Sequence, residues 1–396
     1  MSILEMAKKA REASLKLQGL SEEMRLTALD AIANILSAHT MEILLANQKD
    51  LEEARAQSLS PALIERLTLT DKSIKALSSM CQDVAAQKQV VGMITESHTR
   101  SDGLLIQKQR VPLGVIGMIF ESRPNVVVDG AALAIKSGNA IILKGGKEAQ
   151  HSNRILFELI HKAVASVLPE GSINLIETRE DVSELLKLSQ YIDLMVPRGG
   201  SSLIRYVKEH ATMPVVAHDK GLCHLYVHKD CSVDAKEVVL NAKVQRPSAC
   251  NALETLILHE GYPKNDEIIE ALKSAGVTVH HPATEQDFDT EWLDKQISLK
   301  IVKHHLEAIE HIKRYTSHHT EAVLASDPKV IEDFMNLLDA SCIAINASTR
   351  FNDGGELGLG AELGISTSKL HAYGPMGAQE MTTTRFIVTG NGHVRE

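Results

Sequence analysis

A repeating order of apolar strand, loop and helix, which begins just after Pro112, is the feature that most restricts the fold of this chain. Five short apolar runs follow one another, at 114–120, 140–143, 173–176, 194–196 and 214–217. Helical stretches separate them, near 126–137, 151–168, 181–189 and 200–209. Strands that alternate with helices in this way predict a doubly wound parallel sheet. The predicted fold class is therefore α/β.

A second α/β unit is predicted after Leu222, and a helical segment precedes the first sheet. The apolar runs of the second unit lie at 225–227, 253–258, 297–302, 322–325 and 342–345, with helices near 264–274, 304–316 and 328–338. Residues 1 to about 90 carry apolar side chains three and four positions apart, as amphipathic helices do. Polar alternation up to Val111 indicates an exposed hairpin. We therefore predict two doubly wound, Rossmann-like domains and a hairpin.

Length, charge and cysteine content restrict the class of function. With 396 residues, 44% of them hydrophobic, the chain can form two or three domains. A net charge of -9 without basic clusters argues against nucleic acid as a partner. No apolar run approaches the roughly 18 to 20 residues of a membrane span. An odd number of cysteines, five, without a secretory leader favours a reducing cytoplasm.

One of these cysteines lies in a setting that suits a nucleophile. Cys250 stands among small and polar residues, just before the apolar run 253–258. A thiol attacks an acyl carbon as the thiolate, which needs partial exposure and nearby positive charge, and Lys243 and Arg246 are placed to supply that charge. The alternative interpretation is a buried cysteine that fills space at the start of a strand.

Neither the other cysteines nor the histidine-rich segment predicts a metal site. Cys223 and Cys231 bracket an apolar run in which strand alternation points Cys223 and His224 to opposite faces. The histidines within 304–311 lie on a helix rich in Glu and Lys. We interpret that helix as carrying a solvated histidine face, and we predict no metal.

Loops that follow the first set of strands are the predicted cofactor contacts, because doubly wound sheets bind ligands beyond the carboxyl ends of their strands. These loops are 121–125, 144–147 and 197–202. In the last of them, Gly199 and Gly200 stand at a helix start beside Arg198, and backbone amides, the positive helix end and a guanidinium together attract phosphate. The glycine pairs can equally be tight turns.

A set of short motifs is spread along the chain from Pro112 to Thr367. They are Pro-Leu-Gly-Val-Ile-Gly from Pro112, Glu-Ser-Arg-Pro-Asn at 121–125, Lys-Ser-Gly-Asn-Ala at 136–140, Lys-Gly-Gly-Lys-Glu-Ala at 144–149, Pro-Arg-Gly-Gly at 197–200, Gln-Arg-Pro-Ser-Ala-Cys-Asn-Ala at 245–252, His-Thr-Glu at 319–321, Asn-Ala-Ser-Thr-Arg-Phe-Asn-Asp-Gly at 346–354 and the glycine-rich run 356–367. Together they resemble the gamma-glutamyl phosphate reductase family, within the aldehyde dehydrogenase superfamily.

The resemblance implies a reaction and an organisation. The family reduces L-glutamyl 5-phosphate with NADPH to L-glutamate 5-semialdehyde and phosphate, the second step of proline biosynthesis, and Cys250 matches the nucleophile that holds the acyl group as a thioester. Segments 1–97 and 112–222 would bind NADP, and 223–370 would form the catalytic domain. An oligomerisation hairpin and tail, at 98–111 and 371–396, would join a homodimer or homotetramer. A glutamate 5-kinase is a candidate partner, and the cytoplasm is the expected location.

Residue roles follow from the same resemblance. Lys144 matches the lysine that reaches the adenosine ribose, Lys147 adds a second cation suited to a 2′-phosphate, and Glu291 matches the glutamate that holds the nicotinamide ribose. The cofactor set is Lys144, Gly145, Lys147, Pro197, Arg198, Gly199, Gly200, Ser201 and Glu291. The substrate set is Ser122, Arg123, Asn125, Arg350 and Glu356. Its arginines suit the substrate carboxylate, and Glu356 or Asp353 suits the ammonium group.

Two positions depart from the family pattern. His218 stands about where hydrolytic aldehyde dehydrogenases carry a water-activating glutamate; this suits a reductase that keeps water from its thioester, although a histidine can itself act as a base. Tyr373 stands where relatives usually carry arginine. Two alternatives therefore stay open: a hydrolytic NAD(P)-dependent dehydrogenase of another semialdehyde, and an inactive nucleotide-binding scaffold.

Overall fold

The chain forms two compact units in a computed structural model that describes residues 1–217 and 220–395. Unit 1 comprises Met1–Ala217, Gly358–Gly364 and Met376–Glu396, and unit 2 comprises His218–Leu357 and Ile365–Pro375. The expected domain boundary at 222/223 thus falls inside unit 2. Segment 358–364, expected in the catalytic domain, belongs to unit 1.

Local contacts explain why this late segment joins unit 1. The Arg198 guanidinium donates to the carbonyl of Glu362 at 3.1 Å, and Leu363 and Met376 are joined by a backbone hydrogen bond of 2.9 Å. The sequence pattern did not predict either contact.

Unit 1 begins with five helices, as the three- and four-residue spacing predicts. They are α1 (Ile3–Gln18), α2 (Glu22–Ala38), α3 (Thr40–Ala56), α4 (Pro61–Leu67) and α5 (Asp71–Ala86). Capping boxes begin two of them: Ser2 with Glu5 at α1, and Thr70 with Ser73 at α5. Each such cap is worth about 1 kcal/mol because it satisfies amides that have no partner inside the helix.

Among the described residues, no single helix combines the length and the apolar character that a membrane crossing needs. The bent pair of α2 and α3, which meet at 71°, meets that criterion when taken together. Buried side chains of this pair include Leu29, Ile32, Leu36 and Ile43.

The first sheet is parallel and doubly wound, which confirms the prediction. Its strands are β3 (Val115–Phe120), β4 (Ala140–Lys144), β5 (Ile173–Ile176) and β6 (Leu194–Arg198), in the order β5-β4-β3-β6. Its helices are α6 (Val126–Ser137), α7 (Gln150–Val164), α8 (Arg179–Leu185) and α9 (Ser201–His210). Strand order reverses between β3 and β6, so the loops after these two strands border the crevice where such sheets bind ligands.

The expected fifth strand at 214–217 is wrong. This segment forms one isolated β-bridge, between Met195 and Val215. Pro214 has no amide hydrogen for a ladder, which weakens strand pairing at this point.

A three-stranded antiparallel sheet confirms the predicted hairpin. Strands β1 (Ile94–Thr99) and β2 (Leu105–Pro112) form the hairpin, and β15 (Thr382–Thr389) pairs along all of β2. Exposed apolar side chains here include Ile94, Phe386 and Val388. The hairpin begins four residues before the predicted 98–111 boundary.

Unit 2 is built on a six-stranded sheet in which every pairing is parallel. Its strands are β7 (Cys223–Val227), β8 (Leu253–His259), β9 (Thr278–His280), β10 (Gln296–Val302), β11 (Thr320–Leu324) and β12 (Cys342–Ile345), in the order β12-β11-β7-β8-β10-β9. Its helices are α10 (Ala235–Val244), α11 (Asn265–Ser274), α12 (Glu285–Phe288), α13 (His305–Tyr315) and α14 (Pro328–Leu337), and two short strands, β13 (Ile365–Ser366) and β14 (Gly374–Pro375), pair with each other.

Helices cover both faces of this sheet, so unit 2 is doubly wound as well. Val239 and Leu272, from α10 and α11, pack on Leu256 on one face. On the other face Ile309 and Phe334, from α13 and α14, pack with buried sheet residues. Each fully buried Val, Leu, Ile or Phe contributes about 1.5–3 kcal/mol, so these two layers hold the central strand β8 in place.

Candidate active site

Cys250 lies in the loop between α10 and β8, at the amino end of the sheet's central strand. Its side chain is partly exposed, which a nucleophile needs. Strand β8 has neighbours on both sides, β7 and β10. The loop that carries Cys250 is therefore anchored to a strand that is buried along its whole length.

Buried hydrogen bonds hold the backbone next to Cys250. The Asn251 side-chain amide donates to the carbonyl of Asn352 at 3.0 Å, and the Thr349 hydroxyl donates to the carbonyl of Asn251 at 2.7 Å. Asn251, Thr349 and Asn352 are all buried. The segment 346–354 thus packs against the nucleophile loop and holds its backbone through hydrogen bonds.

Gly221 makes the tightest approach to this loop. A methyl group at this position would overlap the carbonyl oxygen of Cys250, so any larger residue would displace one of the two backbones. On the same carbonyl, the Cys223 thiol donates a weak hydrogen bond at 3.3 Å. Sequence reasoning missed Gly221, because close approach of backbone is a property of the fold.

Of the other four cysteines, Cys81 and Cys223 are buried, whereas Cys231 and Cys342 are partly exposed, and burial raises the pKa of each of the four thiols. Burial raises the pKa of Cys81 to about 12 and that of Cys223 well above its usual range. These thiols therefore stay protonated at neutral pH and behave as packing groups.

Glu291 reaches the same part of unit 2. Its carboxylate accepts the backbone amide of Gly221 at 2.9 Å. Since Gly221 packs on the backbone of Cys250, the predicted ribose-binding carboxylate lies two contacts from the nucleophile.

Lys243, which we expected to supply charge to Cys250, does something else. Its ammonium is completely buried and forms an ion pair of 3.1 Å with buried Glu254. That expectation is wrong, because α10 turns Lys243 inward, toward β8.

Arg350 is a partly buried cation whose guanidinium contacts the segment just before Cys250. Its guanidinium Nε donates to the side-chain oxygen of Gln245 at 2.8 Å. Burial lowers the pKa of Arg350, with Asp353 opposing and Arg246 adding to the shift, and Cys250 is among the groups that act on it. The exposed Glu356 lies six residues further along the chain.

The loop after β3 in unit 1 carries three predicted substrate contacts. Ser122 is buried in a left-handed conformation (φ 48°), and its amide and hydroxyl both donate to Glu148, at 2.6 and 2.7 Å. Asn125 donates to Asp129 at 2.8 Å, next to the start of α6, and Arg123 is partly exposed. Ser122 is thus held by Glu148 rather than by a neighbour on its own loop.

The loop after β4 borders a cleft of about 330 Å³. Exposed Lys147 lines it together with Glu121, Ser122 and Glu148, opposite residues of α3 and the α3–α4 connection. Partly exposed Lys144 ends β4, and its pKa is lowered, first by burial, while Glu148 opposes the shift. Gly145 is required by close packing, because a methyl group there would overlap the side chain of Asn153.

In the part of the chain that the structure describes, the charged residues that line this cleft are Lys147 and three carboxylates, those of Glu53, Glu121 and Glu148. Lys144 and Lys147 supply two ammonium groups three residues apart, of which Lys147 is solvent-exposed on the cleft wall. Ammonium groups of this kind form charge-assisted bonds with phosphate oxygens.

The loop after β6 holds a carboxylate at the start of α9. The amide of Gly200, the N-cap residue, donates to Glu121 at 2.8 Å, and a side chain at Gly199 would overlap the same carboxylate. Arg198 points to Glu362, while Pro197 is buried and Ser201 exposed. Sequence reasoning named the segments that carry Glu121 and Glu362 but did not predict that either residue contacts this loop, because both are far from it in sequence.

The histidines of α13 correct another expectation. His311 is buried against Phe288, His224 and Tyr315, and burial lowers its pKa to about 3. His305 is paired with Asp333 at 2.9 Å. The solvated histidine face is therefore wrong, since this face packs against β7 and α12.

The two departures from the family pattern have different outcomes. Tyr373 donates its hydroxyl to Asp339 at 2.9 Å, and Lys369 binds the same carboxylate at 2.8 Å. His218 lies outside the described residues.

Comparisons with known proteins identify the family. The model for the aldehyde dehydrogenase family matches residues 2–292. A gamma-glutamyl phosphate reductase from Desulforapulum autotrophicum is 45% identical over 412 residues, covering 100% of this chain and 99% of that relative. The chain belongs to the gamma-glutamyl phosphate reductase family. The corresponding protein from Carboxydothermus hydrogenoformans is 46% identical over 411 residues, with 99% of each chain covered.

A solved structure of a gamma-glutamyl phosphate reductase has the same fold as this chain. The crystal structure of the Thermotoga maritima protein superposes with a TM-score of 0.95 at 42% identity, covering 100% of both chains. The chain is thus an oxidoreductase with the aldehyde dehydrogenase fold, and enzymes of this family use NAD(P).

Proposed function

We propose that the chain reduces L-glutamyl 5-phosphate with NADPH to L-glutamate 5-semialdehyde and phosphate, the second step of proline biosynthesis. The observation that carries the proposal is the partly exposed Cys250 at the amino end of β8, in a loop fixed by buried hydrogen bonds. Relatives that are 45% identical along the whole chain carry the name of this activity.

Cys250 acts as the nucleophile in this proposal. Its thiolate attacks the acyl carbon, a C–S bond forms, and the C–O bond to phosphate breaks, so that phosphate leaves with the electron pair. Bound NADPH would supply the hydride that reduces the thioester to a thiohemiacetal, whose C–S bond then breaks to release the aldehyde and restore the Cys250 thiolate. The backbone amide of Cys250 is a candidate donor to the oxyanion of each tetrahedral species.

Substrate contacts follow from charge. Arg350 suits the α-carboxylate of the glutamyl group, because partial burial beside Cys250 strengthens its charge-assisted bonds. Glu356 or Asp353 suits the ammonium group. From unit 1 we assign Ser122, Arg123 and Asn125 to the substrate as well, with Arg123 as the second candidate for a carboxylate.

Cofactor contacts are assigned to two sets of residues. Lys144 and Lys147 suit the 2′-phosphate of NADPH, because they bring two ammonium groups to one loop and Lys147 is solvent-exposed. Gly145 and the segment Pro197–Ser201 complete the nucleotide contacts in unit 1. Glu291 is assigned to the nicotinamide ribose, supported by its place beside Gly221.

The same proposal extends to assembly and location. We assign the sheet of β1, β2 and β15 to homodimer or homotetramer formation, since a strand edge with exposed apolar residues can add to a neighbour's sheet. The cytoplasm and a glutamate 5-kinase partner fit a biosynthetic enzyme that uses an unstable acyl phosphate.

The decisive experiment runs the reaction backwards. Purified protein is given glutamate 5-semialdehyde and NADP⁺, and NADPH formation is followed at 340 nm by absorbance, with and without phosphate or arsenate. Oxidation that depends on the oxyanion supports the proposal, because the thioester must be passed to phosphate. Equal rates in phosphate-free buffer would instead assign a hydrolytic aldehyde dehydrogenase.

A further inference from the structure

A buried ion pair closes the base of the nucleophile loop. Lys243 stands at the end of α10 and Glu254 in β8, on either side of the segment 245–252 that carries Cys250. The Lys243 ammonium and the Glu254 carboxylate are 3.1 Å apart, and their side chains are 0% and 1% exposed. The two ends of the loop are thereby tied to each other.

Glu254 also holds a second segment. Its carboxylate accepts the backbone amides of Trp292 at 3.2 Å and Leu293 at 3.3 Å. Leu293 has φ 49°, a left-handed conformation that costs a leucine about 1–2 kcal/mol. Successive amides that converge in this way form a concave anion site, and here the anion is Glu254.

The turn held by Glu254 carries Glu291. The Glu291 carboxylate accepts the amide of Gly221, and Gly221 packs on the carbonyl of Cys250. The contacts therefore form a closed circuit: nucleophile loop, Lys243–Glu254 pair, turn 291–293, Gly221, and back to the nucleophile loop. All of these residues lie in unit 2.

Stability alone is a weak reason for such a pair. Burial lowers the pKa of Lys243 and raises that of Glu254, and each partner opposes the shift of the other. Removal of two charges from water costs several kcal/mol per ion, and well-packed apolar replacements of buried pairs are often neutral or stabilising. What apolar side chains cannot reproduce is the acceptance of the Trp292 and Leu293 amides.

We propose that the Lys243–Glu254 pair is a positioning device that sets the Cys250 loop and the Glu291 carboxylate in one fixed arrangement. The inference rests on the proposed function, in which Cys250 carries the acyl group and Glu291 holds the nicotinamide ribose. Neither Lys243 nor Glu254 touches substrate or cofactor; they act through the loop and the turn. Catalysis is sensitive to such placement, because a shift of about 1 Å can cost roughly 100-fold in rate.

The main test replaces the pair by apolar residues of similar volume. Lys243→Met/Glu254→Leu is expected to melt within a few degrees of wild type, while its dissociation constant for NADP⁺, measured by isothermal titration calorimetry, rises about tenfold. The matched control is Lys136→Met/Glu22→Leu, which removes an ion pair with a fully buried lysine in unit 1, and is expected to keep the wild-type constant within about twofold.

Two further variants show whether the effect passes through Glu291. Lys243→Arg, which keeps the charge, is expected to keep NADP⁺ affinity within about threefold. In a protein that already carries Glu291→Gln, adding Lys243→Met/Glu254→Leu should raise the NADP⁺ dissociation constant by less than about a further twofold, because both changes remove the same contact. The proposal would be overturned if the losses of NADP⁺ affinity from Glu291→Gln and from the apolar pair multiplied when combined. It would also be overturned if the apolar pair alone left the dissociation constant unchanged.

A readout without nucleotide keeps this inference separate from the proposed function. The rate of Cys250 alkylation by iodoacetamide should change at least about threefold in the apolar pair and stay at the wild-type value in the unit 1 control. If wild type binds no NADP⁺, the proposed function fails, yet this rate still decides the positioning role, and an unchanged rate overturns it. Glu254→Gln, which keeps the side-chain shape, gives the same readout if the apolar pair does not fold.

Discussion

The nucleophile loop of unit 2 and the strand-end loops of unit 1 hold their polar groups in opposite ways. Around Cys250 the partners are buried, as Asn251 and Thr349 show. In unit 1 several of the groups assigned to the nucleotide are exposed, among them Lys147, Gly200 and Ser201. Buried polar networks fix one geometry, whereas exposed ionic groups adjust to a ligand at small cost. Changes in the first region should therefore disrupt chemistry, and changes in the second should alter affinity.

Loss of the nucleophile is the largest expected effect. Cys250→Ala should abolish turnover, because a methyl group cannot form a thioester, while NADPH affinity stays within about twofold. Steady-state rates and calorimetric titration measure the two quantities. Cys342→Ala is the matched control and should keep wild-type turnover. Normal turnover by the Cys250 variant would rule out the covalent mechanism.

Displacement of the loop comes next. Gly221→Ala places a methyl group against the Cys250 carbonyl, so turnover should fall about 100-fold and the free energy of unfolding by about 1–3 kcal/mol. Rate measurements and urea unfolding give the two numbers. The control is Gly261→Ala, whose added methyl would lie 3.3 Å from the ring of His259. It should change turnover and the free energy of unfolding by only a small fraction of the Gly221→Ala effects. Equal effects of both substitutions would remove the special role of Gly221.

A charge reversal in unit 1 tests the opposite side of the comparison. Lys147→Glu should weaken NADPH binding by about 1.5–3 kcal/mol, through the loss of a charge-assisted bond and added repulsion, with much less effect on NADH. Dissociation constants for both nucleotides measure this. Lys8→Glu, an exposed lysine of α1, controls for net charge. Equal losses of affinity for NADPH and NADH would show that Lys147 does not bind the 2′-phosphate.

The smallest expected effect concerns a buried polar group that has no part in the proposed chemistry. Burial, with help from His224, Lys300 and Arg314, lowers the pKa of His311 to about 3 in the folded state. Its stability contribution is therefore present above pH 6.5 or so, the unfolded value, and is lost as the pH falls toward 3. Wild type should lose roughly 1–2 kcal/mol from this group between pH 8 and pH 5.

His311→Leu should remove that part of the pH dependence, as urea unfolding at the two pH values will show, while the Michaelis constants stay unchanged. His98→Leu, at an exposed position in β1, should keep the wild-type pH dependence. An identical pH profile in the His311 variant would mean that other groups cause the acid loss.

Sequence reasoning succeeded where local pattern determines structure. The alternation of apolar runs and helices predicted both sheets, because strands buried on two faces are largely apolar; β3 is apolar throughout, and β8 is apolar apart from Glu254, Thr255 and His259. The setting of Cys250 also predicted a loop before a strand, since small and polar residues stand ahead of an apolar run.

Side-chain direction and long-range contact could not be predicted in this way. Lys243 resembles a solvated lysine in sequence, and its burial depends on Glu254 in the neighbouring strand. His311 is set among Glu and Lys, yet β7 and α12 cover it. The carboxylate at the start of α9 comes from Glu121, which is 79 positions earlier. Each contact joins elements that meet only after the sheets have formed.

The pairing of β2 with β15 sets a delay in folding. Arg385 bonds to Gln109, a partner 276 positions earlier in the chain. At a synthesis rate of roughly 5–20 residues per second, β2 waits about 14 to 55 seconds for its second neighbour. During that time one long edge of the β1–β2 hairpin offers unpaired backbone groups to any other nascent chain. During the interval between synthesis of the two strands, aggregation of this protein is therefore expected to depend on translation speed and on chaperones that cover strand edges.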